Sequence, residues 1–106
     1  MTNKIVVLST ASSAGEAEKI ARKLVEERLA ACVNLVPGMR SFYRWKGTVE
    51  DSPECLLIIK SSRDRFEALG TALEKMHSYE VPEVIALPVV DGARNYLNWM
   101  DGELGA

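Results

Sequence analysis

Apolar residues recur along the chain with two different periods, and this pattern predicts both strands and helices. The β-branched run within residues 4–10 predicts a first strand. Ser13 and Glu16, three residues apart, form the capping-box pattern that opens a helix. The helical spacing continues through the apolar residues Ala17, Ile20, Ala21, Leu24, Val25 and Leu29. The chain is therefore expected to begin as a strand followed by an amphipathic helix.

Residues 31–60 contain two extended apolar runs on either side of Lys46 and Gly47, which predict a long hairpin. A second amphipathic helix is expected after a cap at Ser62, because apolar residues follow it at helical spacing. These residues are Phe66, Leu69, Leu73 and Met76. The hairpin and this helix extend the order of elements to βαββα.

The remainder of the chain supplies a last strand within residues 84–90 and a short closing helix within residues 94–104. The whole order, βαββαβ with a tail helix, is that of an α+β, ferredoxin-like sandwich. No linker or repeat interrupts it, so residues 1–106 are expected to form one domain.

The placement of apolar runs and of one proline agrees with this topology. In a ferredoxin-like sheet the first and third strands are central, and the continuous apolar runs 5–8 and 56–59 fall on them. Pro88 cannot donate to a ladder and falls on the last strand, which is an edge. The sequence thus predicts which strands are buried.

Two features predict that a single copy is incomplete. The central strands do not alternate apolar and polar residues, although one sheet face should lie open to water in a monomer. Each hairpin arm, about 14 residues or roughly 45 Å long, exceeds the roughly 30 to 35 Å of a compact domain of this size. An oligomer with closed symmetry would cover both the open sheet face and the protruding hairpin. The spacing of residues in the sequence does not distinguish a dimer from a trimer.

Composition restricts the function classes. With a net charge of −2 and a pI near 5.4, the chain lacks the basic footprint of a nucleic-acid or membrane-surface partner, and neither is expected. The apolar run near the start, 5–8, is too short for a signal peptide, so a cytoplasmic location is expected. Cys32 and Cys55 are expected to stay reduced, because the hairpin register separates them by roughly 20 Å.

Several motifs resemble the CutA divalent-cation-tolerance family in order and spacing over almost the whole chain. They are Arg28-Leu-Ala-Ala-Cys-Val-Asn34, Pro37-Gly38, Phe42-Tyr-Arg-Trp-Lys-Gly47, Leu56-Leu-Ile-Ile-Lys-Ser61, His77-Ser-Tyr-Glu-Val-Pro-Glu-Val-Ile-Ala-Leu-Pro88 and Tyr96-Leu-Asn-Trp99. The resemblance implies a homotrimer with the architecture of the PII proteins and a role in tolerance of divalent metals, particularly copper. It implies no known reaction, so the chain is not expected to be an enzyme.

The family's proposed metal ligands match Cys32 and His77 here, while Met76 and Ser78 replace a His and a Pro of the family pattern. Thiolate and imidazole suit copper, and a thioether favours its cuprous state. Copper or another divalent ion is thus a candidate ligand that folding does not require. The alternative is structural: Cys32 packs as a small buried residue, and His77 finishes the second helix.

A second candidate site consists of Trp45, Lys60, Tyr79 and Glu83, which fall in the best-matching segments. Together they could line a cleft between subunits for a small anion or metabolite. Each also has a structural explanation, because Trp45 could pack at the hairpin tip, Lys60 could solvate a strand end and Glu83 could cap a loop. A PII-like trimer that binds a small molecule or acts in signalling, without a direct metal site, is therefore the alternative function.

Other proteins of this topology fit less well. An acylphosphatase-type enzyme needs an Arg in the loop after the first strand, and residues 9–15 contain none. An RNA-recognition module needs aromatic residues on the third strand, where residues 55–60 have none. A third possible function is that of an interaction protein, in which the trimer itself is the functional unit and binds no ligand.

Overall fold

Helices and strands follow one another in the predicted order in the computed structural model, which describes residues 1–105. The elements are β1 (Lys4–Ala11), α1 (Ala14–Glu26), β2 (Cys32–Trp45), β3 (Thr48–Ser62), α2 (Phe66–Met76), β4 (Ile85–Pro88) and α3 (Arg94–Glu103). The α+β class and the βαββαβ order with a tail helix are confirmed. Within residues 1–105, no helix combines the length and apolar content that a membrane crossing requires.

The four strands form one antiparallel sheet in the order β2-β3-β1-β4. The apolar strands β1 and β3 are central and β4 lies at an edge, as predicted. β4 covers Ile85–Pro88, which is shorter than the expected 84–90. Beyond it, Val89 N–H still donates to the carbonyl of Lys4 at 3.0 Å.

The core lies between one face of this sheet and the helices α1 and α2. Residues at alternate positions of the central strands, such as Val7, Leu57 and Ile59, are fully buried there. The helices contribute their apolar stripes to the same core, with Ile20, Leu24, Leu69 and Leu73 at most 1% exposed. The helical period read from the sequence therefore selects the buried face.

The other sheet face, here called the open face, is largely uncovered. It displays the aliphatic side chains Val6, Leu8, Val36, Leu56, Ile58, Ile85 and Leu87. Helix α3 lies at one end of this face, where Asp101 pairs with the Lys4 Nζ at 2.7 Å. Val36, Ile85 and Leu87 remain 44 to 51% exposed in the single chain. The predicted lack of alternation thus corresponds to an apolar surface.

The hairpin extends well beyond the rest of the sheet. β1 ends opposite Cys55, so residues 39–45 and 48–54 pair only with each other. The molecule accordingly measures 45 × 25 × 23 Å, with a radius of gyration of 14.3 Å. The turn lies at Lys46 and Gly47, both with positive φ, which suits a two-residue hairpin turn.

A β-bulge at Pro37 and Gly38 interrupts the pairing of β2 with β3. Val36 pairs with Leu56, but the next aligned pair is Met39 with Glu54, so two residues of β2 oppose one of β3. Gly38 has a φ of 78°, which favours glycine. Beyond the bulge, the odd-numbered residues of β2 face the same side as Glu54.

The two predicted helix starts differ in outcome. The Ser13 Oγ accepts a hydrogen bond from the Glu16 N–H at 3.1 Å and caps α1 as expected. Ser62 instead precedes a 3₁₀ turn, Arg63–Arg65, and donates to the Asp64 carboxylate at 2.6 Å. α2 then begins at Phe66, so Ser62 does not cap it directly.

Candidate functional site

A cleft of about 660 Å³ lies between the base of the hairpin and the loop that follows α2. It is called the hairpin cleft below, and it is lined by Thr10, Ser41, Phe42, Tyr43, Trp45, Glu54, Ser78, Tyr79, Glu80, Val81 and Glu83. The bulge at Gly38 turns Tyr43 and Trp45 toward the side of the sheet on which Glu54 lies. The cleft therefore combines an aromatic wall with carboxylates.

A short hydrogen bond closes the floor of the hairpin cleft. The Tyr79 hydroxyl donates to the Glu54 Oε2 at 2.5 Å, and Glu54 is only 7% exposed. Burial and the hydrogen bond to Glu54 both raise the pKa of Tyr79 above its ordinary value, so this hydroxyl stays protonated and remains a donor. Glu54 makes no ion pair with any Lys, Arg or His within residues 1–105.

His77 uses both of its ring nitrogens in the folded chain. Its side chain is fully buried, its Nε2 lies 2.6 Å from the Thr10 carbonyl oxygen, and its Nδ1 lies 3.0 Å from the Tyr79 backbone nitrogen. A backbone N–H can only donate, so Nδ1 accepts and Nε2 carries the proton that it donates to Thr10. The geometry thus selects the neutral Nε2–H tautomer.

Glu16 anchors the same loop from α1. Its Oε2 accepts from the Ser78 N–H at 2.8 Å, and its Oε1 accepts from the Ser12 N–H at 3.1 Å and the Ser12 hydroxyl at 2.8 Å. Burial acts to raise the pKa of Glu16, but the hydrogen bonds from Ser78 and Ser12 outweigh it and lower the pKa to about 2. Glu16 is therefore ionised in the folded protein at neutral pH.

Cys32 and His77, the predicted metal ligands, are not brought together within one chain. Cys32 aligns with Lys60 and, across β3, with Val6, whereas His77 bonds to Thr10, four residues or roughly 13 Å further along β1. The Cys32 thiol is half-buried and 3.8 Å from the Asn34 Oδ1. Within residues 1–105, no three His, Cys, Asp or Glu side chains cluster as metal ligands.

Both cysteines are free thiols, as expected, and Cys55 is buried in the core. Met76 packs against the same core from the end of α2. The sulfur atoms of Cys55 and Met76 therefore belong to the core side of the sheet, whereas Cys32 lies on the open face.

Of the four residues predicted for a ligand cleft, the structure brings three together. Trp45, Tyr79 and Glu83 line the hairpin cleft, whereas Lys60 lies elsewhere, with its Nζ 5.8 Å from the centre of the Tyr96 ring. Sequence reasoning missed Glu54. The sequence does contain a signal that could have identified Glu54, because its carboxylate directly precedes the buried apolar run of β3.

Comparison with known proteins gives a consistent result. Residues 5–103 match the family model described as CutA1 divalent ion tolerance protein. The divalent-cation tolerance protein CutA of Thermus thermophilus is 48% identical over 100 residues, which are 94% of this chain and 97% of the relative.

Solved structures agree in fold. CutA from Xylella fastidiosa superposes with a TM-score of 0.95 at 41% identity, covering 97% of this chain and 99% of that one. A CutA of Archaeoglobus fulgidus, described as a periplasmic divalent cation tolerance protein, gives a TM-score of 0.93 at 37% identity, covering 95% and 98%. The chain therefore belongs to the CutA1 divalent ion tolerance family.

Proposed function

We propose that this chain acts in divalent-cation tolerance as a cytoplasmic homotrimer and without catalysing a reaction. Membership of the CutA1 family supports the tolerance role. The cytoplasmic location proposed for this chain differs from that of the Archaeoglobus fulgidus relative, which is described as periplasmic. Fractionation of the native host, with the chain detected by antibody, tests the location.

The observation that carries the trimer is the open face together with the projecting hairpin. Isolated aliphatic residues at a surface are ordinary, but a contiguous patch across all four strands is typical of an interface. The exposed hairpin residues Phe42 and Val49 add to the apolar surface. Two further copies of this chain are the occupants we propose, related by closed cyclic symmetry.

Light scattering at micromolar concentration tests the assembly directly. The expected mass is three times the chain mass of 11.7 kDa. A mass equal to one chain would contradict the proposal, because the open face would then be stable in water.

Copper is the ion that we propose the trimer handles, through the Cys32 thiol and the His77 imidazole. Because His77 lies far from Cys32 in its own chain and uses both ring nitrogens, binding requires it to release the Thr10 carbonyl or the Tyr79 N–H. A site shared between subunits would take each residue from a different chain. We expect folding not to require the ion, because the core is built from apolar side chains that need no metal to pack.

Growth in graded copper tests this role. A bacterial host that lacks its own CutA relative is supplied with the wild type or with the Cys32→Ser, His77→Ala double variant. The wild type is expected to raise the tolerated copper concentration, whereas the double variant is not. Glu74→Gln, an exposed change on α2, serves as the matched control.

A second candidate function is favoured by the hairpin cleft: a PII-like trimer that binds a small molecule and has no direct metal site. The saturated hydrogen bonding of His77 and the formed cleft beside it both support this alternative. Full tolerance conferred by the double variant would favour it over direct copper binding.

A further inference from the structure

We propose that the hairpin cleft binds a linear organic polyamine, with its ammonium groups on the cleft carboxylates and its methylene chain along the aromatic wall. This inference rests on the second candidate function and names its ligand class. It narrows the small anion or metabolite expected from the sequence to a cation, because Lys60, the one cationic residue of the expected set, lies outside the cleft.

The negative charge of the residues that line the cleft favours a positively charged ligand. Glu54, Glu80 and Glu83 line it, and the set of lining residues contains no Lys, Arg or His. An anion entering this space would meet carboxylates, and no lining side chain would offer it a positive charge. A cation would be attracted instead, and more strongly at the partly desolvated floor than at the rim.

Glu54 supplies the observation that points to a ligand group. It is more than nine-tenths buried, one oxygen accepts from Tyr79, and its Oε1 accepts no hydrogen bond within residues 1–105. That oxygen is not sealed off in the interior, so it opens into the cleft that Glu54 lines. An ammonium group at that oxygen would supply both a positive charge and a hydrogen-bond donor, and charge-assisted hydrogen bonds of this kind are strong.

The aromatic wall suits a cation as well. The Lys46 Nζ lies 5.9 Å from the centre of the Trp45 ring, and the Arg40 guanidinium carbon lies 5.1 Å from that of Phe42. The chain's own cations thus already use ring faces of this hairpin. Tyr43, which also lines the cleft, is 40% exposed in the single chain, which leaves ring surface for a ligand's methylene groups.

The arrangement of the carboxylates separates a polyamine from a metal ion. A bound divalent ion needs several ligands converging on one point, and no three acidic, His or Cys side chains do so in the described part of the chain. Carboxylates spread along a cleft of about 660 Å³ instead match positive charges separated by short methylene chains. Spermidine has this chemistry and serves as the probe.

Isothermal titration of the full-length protein with spermidine in low-salt buffer tests the proposal. We expect saturable binding at one site per chain, weakened about ten-fold or more in Glu54→Gln, since charge-assisted hydrogen bonds are worth about 1.5–3 kcal/mol and ten-fold is 1.4. Glu83→Gln, at an exposed position, should weaken binding as well and keeps the test valid if Glu54→Gln folds poorly. Glu74→Gln should bind like the wild type, and citrate should not bind.

Two results would overturn the inference: no spermidine binding by the wild type, or equal loss in Glu74→Gln and the cleft variants, which would indicate a general polyelectrolyte effect. Light scattering on the same sample distinguishes a wrong ligand class from a wrong oligomeric state. A trimer that ignores spermidine overturns the ligand class alone, whereas a monomer overturns the trimeric function on which it rests.

Discussion

The Tyr79 hydroxyl and the Glu54 Oε2, 25 residues apart in sequence, are joined by a 2.5 Å hydrogen bond that ties the loop after α2 to the base of the hairpin. Glu54 is buried and Tyr79 is half-buried, so the bond is partly shielded from bulk water. This bond therefore fixes the position of the loop that carries His77 relative to the part of β3 that contains Glu54.

Replacing Tyr79 by Phe is expected to destabilise the protein by about 1–3 kcal/mol, because Glu54 loses its donor while staying buried. Urea unfolding followed by circular dichroism measures the change. Tyr96→Phe is the matched control, since the Tyr96 hydroxyl makes no hydrogen bond within residues 1–105 and its ring is half exposed. Equal stability of the two variants would contradict a structural role for the bond.

The low pKa of Glu16 predicts a pH dependence of stability. The folded-state pKa of about 2 lies below the ordinary 4.5, so the unfolded chain takes up the proton first as the pH falls. The stabilisation is complete above about pH 5 and is lost as the pH falls toward 2. Because Glu16 lies near the surface, solvent screening reduces this stabilisation to about 1–2 kcal/mol.

Glu16→Gln should remove most of this acid dependence, as measured by urea midpoints between pH 2 and pH 6. Glu18→Gln, on the exposed surface of the same helix, should leave it in place. An unchanged slope in the Glu16 variant would mean that other carboxylates determine the acid stability.

Gly38→Ala tests the backbone of the bulge. The added methyl group meets no atom within 4 Å, so the expected loss of about 1–2 kcal/mol comes from the positive φ of 78° alone. Gly102→Ala, which also places its methyl in open space but lies within α3 without positive φ, should be neutral or stabilising. Thermal unfolding of the two variants side by side gives the comparison.

Trp45→Asp is expected to weaken the proposed trimer, because an unpaired charge at the core of an interface costs several kcal/mol. The mass from light scattering should fall with dilution, and the thermal midpoint should fall with it. Thr71→Asp, exposed on α2, is the control for the added charge. If Trp45→Asp keeps the mass and midpoint of the wild type, Trp45 faces water in the assembly.

A copper site that also draws the Met76 thioether out of the core, next to His77, predicts a selective role for that residue. Met76→Leu should lower the affinity for Cu(I), measured by competition with a chelator, and leave Zn(II) almost unaffected, because a thioether favours the softer ion. Cys32→Ser and His77→Ala should each lower the Cu(I) affinity. Equal copper uptake by the wild type and the Cys32→Ser, His77→Ala double variant would indicate adventitious binding.

The fold was predictable because its signals are local and periodic. The apolar period of α1 and α2, the continuous runs of β1 and β3 and the turn at Gly47 each correspond to a structural element. The missed details depend on one residue's neighbours. The start of α2, for example, is delayed by a 3₁₀ turn in which Ser62 bonds to Asp64.

The site was only partly predictable, because its geometry depends on long-range contacts. Nothing in the sequence near Glu54 indicates that Tyr79 will approach it, and nothing near His77 indicates that Thr10 and the Tyr79 backbone will occupy both ring nitrogens. Lys60 fell in a matching motif, but strand register places it beside Cys32, away from the cleft.

The bulge at Pro37 and Gly38 has a consequence for the tolerance of this hairpin to deletions. Removing one of its two residues would restore regular pairing and keep Met39 opposite Glu54, so Ser41 and Trp45 would stay on the Glu54 side. Removing both would instead shift the register by one and bring Arg40 and Arg44 to the side of the carboxylates, where they would neutralise the hairpin cleft. In this hairpin the loss of one codon at the bulge would therefore preserve the cleft, whereas the loss of two would reverse its charge pattern.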